Sequence, residues 1–101
     1  MLQQAVNELK SGLPKRIDDA TTLVDISHAG KEMTYVYEVD TRGRQISSNF
    51  TAMARREVVP KVCGSRMKDG MARYGVSYVY RYNLPNGSRL GEFAVTASDC
   101  T

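Results

Sequence analysis

The sequence predicts an α+β domain of order α-β-β-α-β-β: a four-stranded antiparallel sheet built of two hairpins, with helices packed on one face. Three observations carry this. Two pairs of runs alternate apolar and polar residues at period two, each pair around a turn. An amphipathic helical pattern precedes the first pair, and a longer one separates the two pairs. A lone hairpin is marginal in water, so the two need each other and the helices. With 101 residues, 42% hydrophobic and 25% charged, the chain suits a single domain over 1–101. Residues 1–12 read as an N-terminal helix and 13–101 as the sheet and helix core.

In order, Met1–Gly12 places Leu2, Ala5, Val6 and Leu9 at helical spacing. Gly12 and Pro14 end that pattern. A helix of about ten residues is marginal alone, so its stripe needs the sheet to dock on. Leu13–Leu23 is a polar connection with apolar anchors at Leu13, Ile17 and Leu23, and Asp18-Asp19 suits a turn. Thr22, Val24 and Ile26 then alternate with Leu23, Asp25 and Ser27. His28–Lys31 reads as the turn, and Met33, Tyr35, Tyr37 and Val39 as the return strand.

Thr41–Ser48 is polar and reads as a loop, after which Ser47, Ser48 or Asn49 can cap a helix. In that helix Phe50, Met53, Ala54, Val58, Val62 and Cys63 fall near one face, with Arg55, Arg56 and Lys61 off it. Pro60 removes a backbone donor. The apolar stripe continues past it, which predicts one bent helix. Met67–Arg73 forms a further short helical piece. The last hairpin takes Val76, Tyr78, Tyr80 and Tyr82 out, turns at Leu84-Pro85-Asn86-Gly87, and returns through Leu90, Phe93, Val95 and Ala97 to Cys100.

The charge pattern narrows the function classes. Net charge is +3, less than a dedicated nucleic-acid binder usually concentrates. Between Asn49 and Arg73, however, Arg55, Arg56, Lys61, Arg66, Lys68 and Arg73 face only Glu57 and Asp69. Such a helix suits nucleic acid, anionic lipid or an acidic partner, or is simply a solvated face. No RNA-binding signature, Gly-rich phosphate loop or zinc knuckle supports the first. No apolar run approaches the roughly 18–20 residues that span a bilayer. Met1–Gly12 lacks the apolar core of a signal peptide. The chain therefore reads either as intracellular from Met1 or as the part that follows an export segment.

Reactive chemistry is sparse. His28 is the one histidine and has no partners at metal-site spacing. No acid pair has glycosidase or calcium spacing, and no nucleophile triad is present. The expectation is no catalytic residue, no metal and no cofactor. Cys63 and Cys100, two cysteines in all, are too far apart for a CxxC motif. They are compatible with one disulfide or with two unrelated thiols. Six tyrosines against two phenylalanines and no tryptophan is a skewed set. Tyr78 and Tyr80, flanked by Arg81, could form an exposed stacking ladder. The same period serves equally as cross-strand core packing.

Taken together, LPKRIDDATTL, Tyr35-Val36-Tyr37, Val62-Cys63, Tyr78-Val79-Tyr80, Asn86-Gly87 and Val95–Cys100 resemble a family of small uncharacterised bacterial domains. Members carry a Leu-Pro…Asp…Thr-x-Leu start, a Tyr-x-Tyr strand, a helix-borne Val-Cys and a final Val-Thr-Pro-x-Asp-Cys. The resemblance covers most of 13–100; Ala97 stands where the family usually has Pro, and Arg16-Ile17 where a less charged pair is common. Such domains tend to follow a signal peptide or membrane anchor. The resemblance implies an extracytoplasmic, periplasmic setting and a Cys63–Cys100 disulfide, and it implies no reaction. So paired, the cysteines would clamp the helix to the end of the last strand.

The resulting expectation is a non-catalytic extracytoplasmic binding domain, closed by one disulfide, with a protein partner or a second copy. Membrane attachment would come only through a segment upstream. Arg55, Arg56, Lys61, Arg66, Tyr78, Tyr80 and Arg81 are the candidate contact surface. The alternative is an intracellular nucleic-acid-associated domain using the basic helix.

Overall fold

The computed structural model describes residues 6–8, 10–43 and 48–100. Of the N-terminal helix, Val6, Asn7, Glu8 and Lys10 are helical, and Val6 is buried in the core. Leu2, Ala5 and Leu9 of its expected stripe, and the capping candidate Ser47, lie outside the described residues.

The class is α+β, but the sheet has five strands and is mixed. Its order is β1 (Lys15–Arg16), β2 (Thr21–Ala29), β3 (Glu32–Val39), β4 (Ser77–Asn83) and β5 (Arg89–Val95). The added strand, β1, arises from the Asp18 turn. The Asp18 carboxylate accepts the amides of Ala20 and Thr21 at 2.9 and 2.8 Å, and Ile17 N–H donates to the Thr21 carbonyl at 2.9 Å. That reversal lays Lys15 opposite Leu23 and Arg16 opposite Thr22. Two charged residues carry no alternation, so the pattern alone could not reveal this strand.

The second correction concerns β3 and β4, which pair parallel, Glu32 opposite Ser77 through Glu38 opposite Asn83. The expectation of four antiparallel strands fails here because of helix length. The long helix, Phe50–Cys63, has 14 residues and spans about 21 Å at 1.5 Å per residue. β3, with eight residues, spans about 26 Å. The helix thus carries the chain back to the start of β3, and a strand re-entering there runs parallel to it. Both flanking pairs, β2–β3 and β4–β5, are antiparallel as expected.

In β2 the pairing register shifts between Leu23 and Asp25, which makes Val24 the extra residue of a bulge. Leu23 and Ile26 therefore share the core face instead of alternating, and both are buried. His28 and Ala29 belong to β2, opposite Met33 and Glu32, so the turn is shorter than expected.

The long helix runs unbroken through Pro60. A short helix, Met67–Tyr74, follows and ends on Gly75, whose left-handed φ of 69° suits a residue without a Cβ. The Gly75 amide caps it by donating to the Met71 carbonyl. A 3-10 turn, Ala97–Cys100, closes the chain after β5.

The core lies between the sheet and the helices. Parallel pairing sets Tyr35 beside Tyr80 and Tyr37 beside Tyr82, and the rings stack at 5.3 and 5.0 Å. Phe93 continues the stack against Tyr80 at 5.4 Å, and Phe50 of the long helix meets Tyr82 edge-on. Ile26, Val62, Met71 and Val95 fill around this layer. The opposite face of the sheet carries the alternate residues of β4 and β5. There Arg81 Nε donates to Glu92 at 2.6 Å and Arg89 lies 3.5 Å from the same carboxylate.

Candidate functional site

The long helix is tied down at three points. Thr51 packs on β5 at Gly91, where a Cβ would collide with Thr51 Oγ1. Arg55 pairs with Asp99 of the 3-10 turn. Cys63, its last residue, is bonded to Cys100, with 5.4 Å between the Cα atoms. Asp99 is itself positioned by the Thr96 amide, which donates to it at 2.8 Å. That bond, with the Arg55 guanidinium second, holds the Asp99 carboxyl below its ordinary range.

The same helix carries the apolar stripe read from the sequence, which ends at Cys63. Phe50, Met53, Ala54, Val58 and Val62 border a groove of about 760 Å³; Val62 is buried in the core and Ala54 and Val58 pack against it, while Met53 stays exposed. Tyr37, Val39, Tyr80 and Tyr82 form its floor, and Ile17, Asp18 and Thr21, at the turn between β1 and β2, form the facing wall. Met53 and Ile17, one on each wall, are 52% and 51% exposed. They are two of the most exposed large apolar side chains among the described residues. Charges of both signs, Asp18, Arg56, Glu57 and Lys61, also line the groove.

The floor is aromatic and electrically neutral. Burial pushes the Tyr82 hydroxyl up to about 12, with Glu57 adding to the shift. Tyr37 and Tyr80 are raised as well, by burial first and by neighbouring tyrosines second. Asp18 is held low, chiefly by the Ala20 amide. Among the described residues no three His, Cys, Asp or Glu side chains stand together as a metal site. No described helix is long and apolar enough to cross a membrane.

The residues singled out in the sequence scatter over this frame. Cys63 and Cys100 form the disulfide. Arg56 and Lys61 reach the groove, whereas Arg55 is spent on Asp99. Arg66 is exposed where the short helix begins. Arg81 lies on the far face of the sheet, paired with Glu92. The basic residues therefore do not form one footprint. Tyr78 and Tyr80 are 7% and 6% exposed, so they do not form an outward stacking surface. The ladder faces the helices because β4 alternates and the helices cover that face; Tyr80 reaches the groove only as part of its floor. Sequence reasoning missed the groove itself. The signals were Met53, a long apolar side chain near the edge of the helical stripe, and Ile17, a lone apolar residue in a polar connection.

No family model and no curated protein matches the chain. Solved structures match it in fold. A candidate secreted protein from Pseudomonas aeruginosa superposes with a TM-score of 0.87 at 18% identity, over 100% of this chain and 90% of that one. EpsS, the pilotin of the Vibrio vulnificus type 2 secretion system, gives 0.79 at 17% identity, over 97% and 86%. AspS, a type II secretion system pilotin from Vibrio cholerae, gives 0.75 at 15%, over 96% and 86%. The chain shares their fold.

Proposed function

We propose that this protein is a non-catalytic, extracytoplasmic binding domain whose groove receives an amphipathic helix from a protein partner. One observation carries this: exposed Met53 on the long helix and exposed Ile17 across from it border an open groove floored by tyrosines, while the helix is locked, in part covalently, in place. A groove kept open by such anchoring suits an apolar guest. The floor and walls are side chains, with the backbone of β3, β4 and the helix engaged in its own ladders. The guest must therefore satisfy its own backbone, as a helix does. Charges of both signs along the groove suit the polar flanks of such a helix. The disulfide favours an oxidising compartment. The shared fold with a candidate secreted protein and with secretion-system pilotins supports the same setting.

The test is photocrosslinking. A photoreactive amino acid at position 53 should capture a protein partner in intact cells, and the same residue at position 92, on the far sheet face, should not. Equal capture from both positions would refute the groove as the contact. Recovery of the protein from cells with two alkylatable thiols would refute the compartment.

A further inference from the structure

We infer that Met53 is an oxidant-responsive modification site that controls the groove, a regulation that rests on the groove being the binding surface. Both cysteines of the chain are consumed in the disulfide, so the oxidisable sulfurs left are thioethers. Among the described methionines, Met33 and Met71 are buried at 4% and 3% exposure, and Met67 is half-buried; Met53 is exposed. Met53 is thus the most exposed of the described sulfurs with the fold intact; Met67, half-buried, lines the same groove.

Its position gives the modification a consequence. Met53 stands on the helix wall with the apolar Ala54 and Val58, facing the wall that holds Ile17. A peroxide transfers one oxygen atom to the thioether sulfur; its O–O bond breaks, the sulfur is oxidised to the sulfoxide, and the peroxide is reduced to water or an alcohol. The product is polar and stiffer, and it is reversible by methionine sulfoxide reductases. A flexible apolar contact of the kind that lets a surface adapt to different guests becomes a strong hydrogen-bond acceptor on an apolar wall. A buried guest helix would have to leave that acceptor without a partner. The anchors at Thr51 and Arg55 lie roughly opposite Met53 round the helix, and Cys63 is at the helix's far end, so the fold survives the change.

The experiment treats the folded protein with limiting hydrogen peroxide. Peptide mass analysis follows the gain of oxygen at each methionine, and anilinonaphthalene sulfonate fluorescence reports the apolar groove. Among the described methionines Met53 should oxidise first, well ahead of Met33 and Met71, with unchanged circular dichroism. Probe affinity should fall several-fold and return on treatment with the reductase. Met53→Leu should bind the probe and ignore peroxide, whereas Met53→Gln should bind weakly without it. Oxidation of Met33, Met67 or Met71 at the same rate as Met53 would overturn the assignment. So would oxidation of Met53 that leaves probe affinity intact. Failure of the unoxidised protein to bind the probe would instead count against the groove, and the order of oxidation would still be read separately.

Discussion

Gly91 shows how much can hang on a missing side chain. The long helix approaches β5 closely enough at this position that any Cβ meets Thr51 Oγ1. Gly91→Ala should therefore lose about 1–3 kcal/mol, the usual cost of overpacking, read as a lower urea midpoint. Gly91→Ala combined with Thr51→Ala should recover most of it. A single variant as stable as the parent would contradict the close approach. Asp99 makes a different residue-scale argument. Its pKa is depressed by the Thr96 amide and then by Arg55, so its stabilising effect is present above the unfolded value of 3.8 and is lost as pH falls through the folded value. Urea midpoints taken at descending pH should drop more steeply for the parent than for Asp99→Asn. Parallel profiles would show that the ion pair on the long helix carries no pH-dependent stability.

At the scale of elements, the tyrosine layer decides behaviour in base. Tyr35 and Tyr82 are pushed up to about 12, and Tyr37, Tyr78 and Tyr80 are raised too, with burial the leading cause in each. A tyrosine with a raised folded pKa favours the fold below its unfolded value of 10.0 and disfavours unfolding less and less as pH climbs beyond it. The melting temperature should accordingly hold up to pH 10 and fall above it. Tyrosinate absorbance should rise together with the loss of circular dichroism. Ionisation of these five rings well before unfolding would contradict their placement in the core. The same layer marks what period two could and could not say. Alternation fixed that Tyr78, Tyr80 and Tyr82 share a face, but both faces of a sheet have the same period, so the choice rested on where the helices sit. The bulge at Val24 was hidden for a related reason: an extra residue leaves composition unchanged and only resets the phase. The unbroken helix through Pro60 was legible, since Val62 and Cys63 keep the stripe's phase across it.

For the whole molecule, connectivity was the less legible part. Hairpins announce themselves through short turns, and both antiparallel pairs were readable. The parallel β3–β4 contact depends on how far two helices carry the chain, and β1 on a carboxylate bonding two amides. The groove is more remote still, because it exists only where the helix leans toward β5 and away from β2. The disulfide spans 37 residues of sequence, and loop-closure entropy makes such a bond worth about 4 kcal/mol. Reduction should lower the melting temperature markedly and weaken binding of an apolar probe, because the long helix loses its tie at Cys63. Cys63→Ser with Cys100→Ser should behave like the reduced protein. A melting temperature indifferent to reductant would contradict the clamp.

The stacked tyrosines also govern how the protein looks to light. There is no tryptophan, so its near-ultraviolet signal belongs to tyrosine, with small additions from phenylalanine and the disulfide. Rings held 5.0–5.4 Å apart in near-parallel orientation couple their transitions and act as one extended chromophore. Circular dichroism below 240 nm will therefore carry an aromatic couplet on top of the amide bands, and helix content read from it without correction will be wrong. That couplet is also a direct optical gauge of β3 and β4 lying side by side. Its tyrosine–tyrosine part should be lost when the two strands part, even where the hairpins on either side persist.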